Sequence, residues 1–140
     1  MITIAHLSDL HFDSSRPADQ TIVLNALLQD LQALKADLGI SADLMVFSGD
    51  LVRKGDDARA FERARTDFLE PALAALALSP ERLFIVPGNH DVQLGQIHRI
   101  WEAGLTANLV DRDSVNAFFD SSDAEQPNTL QRFTNYDRPG

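Results

Sequence analysis

An α/β fold with a parallel sheet is predicted by two features of the chain. Three short apolar runs alternate with two longer amphipathic segments, and each run stops at a turn rich in glycine, aspartate or asparagine. The first run is Ile2 to Leu7, ended by Ser8-Asp9. The second, Leu44-Met45-Val46-Phe47 within Asp43 to Ser48, is ended by Gly49. The third, Leu83-Phe84-Ile85-Val86, is broken by Pro87-Gly88. Runs this short and this apolar read as buried strands.

The segments between them read as helices. Thr21 to Leu38 carries Val23, Leu24, Leu27, Leu28, Leu31, Leu34 and Leu38 at spacings of three and four, one apolar stripe that Gly39 terminates. Asp57 to Leu69 sets Phe61, Ala64, Phe68 and Leu69 on one face; Asp56 and Asp57 suit the positive end of its dipole, and Pro71 should kink it or start a new turn. The order is therefore βαβαβ, with right-handed crossovers and helices packed on the sheet. After Asp91 only Ile97, Ile100, Trp101 and Leu105 share a helical face, and Ser121 to Thr129 reads as a loop. One domain is expected over residues 1–140, with motifs in 1–92 and a helix plus irregular tail in 93–140.

Composition narrows the function classes. The chain has 140 residues, 44% of them hydrophobic, and no cysteine, which removes disulfides, zinc fingers and thiol nucleophiles and suits a reducing cytosol. Neither a signal-peptide pattern at Met1-Ile2-Thr3-Ile4 nor an apolar run near the roughly 20 residues of a membrane span is present, so a soluble, cytoplasmic protein is expected. Twenty-one acidic against 12 basic residues give a formal charge of -9, which opposes passive binding to nucleic acid or anionic membrane. Clustered carboxylates among these acids would repel one another unless a cation sat between them.

Chemistry-bearing residues follow each strand: Asp9-Leu10-His11, then Gly49-Asp50, then Asn89-His90-Asp91. Parallel strands point the same way, so the three loops emerge on one sheet edge, neighbouring strands being roughly 4.8 Å apart. In an extended segment Asp9 and His11 share a face, with Leu10 turned away. Carboxylates, an amide oxygen and imidazole form a ligand set suited to manganese, iron or zinc more than to calcium. Asp50, if its strand lies between the other two or beside both, can offer one oxygen to each of two ions. Two metals roughly 3.5–4 Å apart clamp an in-line phosphoryl displacement, which makes phosphate-ester hydrolysis the natural reaction.

In order and spacing, Asp9-x-His11, Gly49-Asp50 and Gly88-Asn89-His90-Asp91 resemble the calcineurin-like metallophosphoesterases. The resemblance covers residues 1 to about 92. It implies the N-terminal part of a four-layer αββα sandwich and two divalent or trivalent metal ions. Asp9 and His11 would bind the first metal, Asp50 would bridge both, and Asn89 would bind the second. His90 would not be a ligand; it would donate a proton to the leaving oxygen or stabilise the transferring phosphoryl group, oriented by Asp91. The implied activity is phosphomonoesterase or phosphodiesterase, on a phosphate-ester substrate. Nucleic acid is compatible with that class, although the acidic balance does not point to it. The stretch after Asp50 looks closer to the bacterial and cyclic-nucleotide phosphodiesterase branch than to the protein phosphatases, and Arg53 does not align with the arginine of the latter.

The family completes its site with a later His and a Gly-His-x-His segment, and this sequence holds neither; its histidines are His6, His11, His90 and His98. The expectation is a truncated domain, one half-sheet of the sandwich, whose four protein ligands hold one metal and at most a labile second, with low or no turnover by itself. A non-catalytic or partly metallated module is the alternative reading. An uncovered sheet face, and with it self-association or covering by a missing C-terminal half, is expected. Elsewhere the plain readings hold: His6 as a partly buried core residue, His98 on a helix surface, Trp101 in packing, the leucine stripe as core, and Asp111, Asp113, Asp120 and Asp123 as a solvated face.

Overall fold

The computed structural model describes residues 1–121 and 125–137. Three strands, β1 (Ile4–Leu7), β2 (Leu44–Ser48) and β3 (Leu83–Val86), form one parallel sheet in the order β1-β2-β3. Helix α1 (Pro17–Leu38) joins β1 to β2. Helix α2 (Ala58–Ala64), a π-helical turn (Arg65–Leu69) and helix α3 (Glu70–Leu76) join β2 to β3. The mixed α/β class and the parallel half-sheet read from the sequence are thus both present.

Both crossovers step in the same direction along the sheet, and right-handed connections then place all their helices on one side. The helices therefore cover one face, not both. On the covered face Ala5, Met45 and Leu83 align across the strands, as do Leu7, Phe47 and Ile85. Met45 and Phe47, in the central strand, are fully buried. On the opposite face Ile4, Phe84 and Val86 are each more than half exposed. His6 belongs to that open face, against the expectation of a core position; its Nε2 lies 2.6 Å from Ser48 Oγ.

Helix α1 begins four residues before the predicted start, because Pro17 occupies its first turn, where a missing N–H costs nothing. It ends as expected at Gly39, left-handed at φ 64°, whose amide reaches Leu34 O. Its core stripe is narrower than the leucine pattern: Leu24 and Leu31 are buried, whereas Val23 and Leu38 are each 67% exposed. The second helical segment buries Phe61, Ala64, Phe68 and Leu69 as predicted and runs on past Pro71. The π turn at 65–69 widens the helix where Pro71 can neither donate to nor clear the carbonyl four residues back. Asp57 caps α2, accepting from Ala60 N at 3.1 Å.

After residue 93 the expected helix is α4 (Arg99–Asn108), and the tail expected to be irregular also forms α5 (Arg112–Asp120) and α6 (Glu125–Leu130). Asp111 does not merely face solvent but caps α5 reciprocally with Ser114, a signal present in the sequence and passed over. The predicted loop Ser121 to Thr129 is helix from Glu125; residues 122–124, including Asp123, lie outside the described residues. The chain then returns beneath the β2 loop, where Asn135 Nδ2 donates to Gly55 O at 3.0 Å and Tyr136 packs edge-on to Phe61. Among the described residues, no helix is long and apolar enough to cross a membrane.

Candidate metal centre

Each candidate residue is positioned by the turn that ends its strand. Asp9 (φ 58°), His11 (φ 48°) and Asp50 (φ 57°) are all left-handed, a conformation that costs a side-chain-bearing residue roughly 1–3 kcal/mol and that concentrates at functional sites. Asp9 and His11 are therefore not alternate residues of an extended segment. They converge because two tight turns are zipped together: Asp9 N donates to Gly49 O (3.1 Å), His11 N to Asp50 O (2.9 Å) and Phe12 N to Leu51 O (3.0 Å). Gln20 of α1 fastens the same loop, donating to His11 O and accepting from Asp13 N.

The third loop closes on the second through two glycines. Gly49, at φ 97°, sits so near Gly88 that a Cβ on it would lie 3.1 Å from Gly88 Cα. A Cβ on Gly88 would overlap Asp50, 2.4 Å from its backbone nitrogen. Only this contact lets His90 N donate to Asp50 Oδ1 at 2.9 Å. The turn 89–91 then leaves Asn89 and His90 exposed at the rim and sends Asp91 inward.

Asp91 is fully buried, and its carboxylate accepts from Gly88 N (2.8 Å), Val52 N (2.9 Å) and Leu51 N (3.2 Å). It does not hold the His90 ring, as the sequence reading had it. Its oxygens face backbone amides, and the three N–H donors satisfy the acceptor capacity that burial takes from water. The ring is held instead by the carbonyl of Arg53, 3.0 Å from Nδ1. A carbonyl can only accept, so Nδ1 carries the proton and Nε2 is free to face the site. A backbone contact of this kind leaves no trace in residue identity.

His11, Asp50 and His90 come together, each offering a ligand atom within 4.8 Å of the others. The His11 and His90 rings meet edge to face, with centroids 4.6 Å apart. His11 Nε2 is 3.8 Å from Asp9 Oδ1 and 3.9 Å from Asp50 Oδ2. Those separations are too long for hydrogen bonds and are spanned by two bonds of about 2.0–2.2 Å to a shared ion. The donor set thus fits a transition metal in both chemistry and spacing. Asn89 lies on the same rim; His6 and His98 do not join the group. The larger cavities, about 590 Å³ between α4 and α5 and about 880 Å³ beside β3, contain none of these residues. The site is an open sheet edge.

Beside the centre, Asp13 pairs with Arg53 (3.0 Å) and accepts from both the amide and hydroxyl of Ser15. The Ser15 hydrogen bonds first, and then the Arg53 charge, hold the Asp13 carboxyl down at about 2.

Comparison with known proteins agrees with this geometry. A Bacillus subtilis (strain 168) protein described as an uncharacterized metallophosphoesterase-like protein, YydB, is 26% identical over 91 residues, 65% of this chain. The chain spans 18% of that relative's length. Residues 2–138 match the calcineurin-like phosphoesterase family, and the chain with its three strand-end loops belongs to that family.

Proposed function

We propose that the chain carries the metal-binding edge of a metal-dependent phosphoric ester hydrolase with a dinuclear centre. The observation that supports this most is the convergence of His11 and Asp50, both left-handed, with His90 from a third loop, flanked by left-handed Asp9. Asp9 and His11 would hold one ion and Asn89 a second, with Asp50, on the loop between theirs, contributing to both. Manganese, iron or zinc bound there supplies Lewis acidity and a water of lowered pKa. His90, with Nδ1 anchored on Arg53 O, presents Nε2 to the leaving oxygen and, when doubly protonated, donates a proton to it. Asp91 keeps the second and third loops in register from below.

A second reading, one ion held by His11, Asp50 and His90 in a partly metallated module, is favoured by one observation. Of the four histidines only His11 and His90 reach this edge, and their ligand atoms already lie within 4.8 Å of each other and of Asp50.

Metal content separates the two. Titrating manganese into the chain should load two ions under the first reading, and hydrolysis of bis(p-nitrophenyl) phosphate should depend on manganese in a longer chain that supplies the later histidines. One ion and no turnover would support the second. In either case Asp50→Asn should weaken metal binding by at least about tenfold. Unchanged affinity in that variant would sink both.

A further inference from the structure

We infer that the cleft beside the metal centre, walled by residues 12–16 with Arg53, Lys54 and Asp57, binds a second phosphoryl group of the substrate through Arg16 and Lys54. The inference rests on the phosphoesterase reading and specifies its substrate class, a compound with two linked phosphoryl groups.

The cleft is a cavity of about 260 Å³. Its walls continue the loops that carry the candidate ligands. Arg16 lies on the loop of Asp9 and His11, and Lys54 follows Arg53, whose carbonyl holds the His90 ring. Arg53 belongs to both places, lining the cleft and holding the His90 ring through its carbonyl.

Charge is distributed unevenly around it. The chain carries -9 overall, yet Arg16, Arg53 and Lys54 line this one small cavity. The two carboxylates in the same wall are already engaged. Asp57 caps α2 and accepts the Ser14 hydroxyl at 2.6 Å, and Asp13 is shared between Ser15 and Arg53. Arg53 is thereby paired with Asp13. Arg16 and Lys54 are exposed and have no ion-pair partner among the described residues, so their charge faces the cavity uncompensated. Cations left unpaired inside an acidic surface attract a multiply charged anion locally, where the molecule as a whole repels one. A phosphoryl group, with two charges and several acceptor oxygens, suits a guanidinium and an ammonium acting together.

The test is calorimetric titration of the full 140-residue chain, manganese-loaded and metal-free. The first probe pair is thymidine 3′,5′-bisphosphate against thymidine 5′-monophosphate. The second is inorganic pyrophosphate against orthophosphate. The two-phosphoryl member of at least one pair should bind about tenfold more tightly or better, one added charge-assisted contact being worth at least that much. The pair showing the preference tells sugar spacing from anhydride spacing. Arg16→Gln with Lys54→Gln should abolish the preference and leave manganese affinity unchanged; both residues are exposed, and a thermal melt checks the fold. No preference in either pair, or a preference that survives the double substitution, overturns the inference. Manganese binding without any preference removes the anion cleft and keeps the hydrolase reading. A preference that persists in a chain unable to bind manganese, and that the double substitution removes, keeps the cleft and removes that reading.

Discussion

The helix-covered face of the sheet and its loop-bearing edge are built by opposite rules. On the covered face every local preference agrees with the fold: Met45 and Phe47 point inward from the central strand, and Ala60, Ala64 and Ala72 let α2 and α3 approach closely. At the edge, Asp9, His11 and Asp50 are held left-handed, and Asp91 is buried as a carboxylate. Local strain of this kind persists only where surrounding structure over-determines it. The burial of the first region sustains the strain of the second, and the difference marks which residues serve stability and which serve a ligand.

Four substitutions would break or sharpen that contrast. The largest effect is expected from Phe47→Ala, which should cost about 3–5 kcal/mol in urea unfolding by opening a cavity in the core. Phe84→Ala on the open face should cost less than about 1 kcal/mol. Equal losses would mean that the open face is covered in solution.

Asp91→Asn comes next. An amide has one acceptor oxygen where the carboxylate uses two, so at least one of the Leu51, Val52 and Gly88 amides is left unpaired. The expected loss is about 1–3 kcal/mol, with weakened metal affinity because the second and third loops separate. A variant of full stability would show that the amides find other partners.

The smallest effect has the opposite sign. Asp9→Gly should stabilise the metal-free chain by about 1 kcal/mol, since glycine adopts φ 58° without strain, and should at the same time weaken manganese binding. Measuring both quantities on one preparation decides the point. Destabilisation would show that the turn is not strained, and stabilisation with full metal affinity would remove Asp9 from the centre.

Much of the fold was legible because its signals are local. Leu83 to Val86 was bounded by Pro87-Gly88, and Gly39 closed α1; both read correctly from residue identity alone. Where the reading failed, a non-local or backbone term had intervened. The π turn at 65–69 is a response to Pro71 that periodicity cannot register. Val23 fits the leucine stripe but lies outside the arc that packs against α3. The helices after α4, where an irregular tail is expected, depend on caps such as Asp111–Ser114 and on tertiary ties such as Trp101 Nε1 to Thr129 Oγ1.

For the site, the sequence by itself determined which loops share an edge. Three carboxylate-, amide- or imidazole-bearing turns after three parallel strands must share an edge, because parallel strands all end on one side. Tertiary structure decided how they do so. β2 lies centrally, so Asp50 stands between the other two loops. Gly49 and Gly88 allow a backbone approach that any Cβ would block. Asp91 serves the backbone of the loops, and a main-chain carbonyl of Arg53 orients His90. Residue identity carries side-chain chemistry, whereas backbone hydrogen bonds and left-handed turns exist only once distant segments have met.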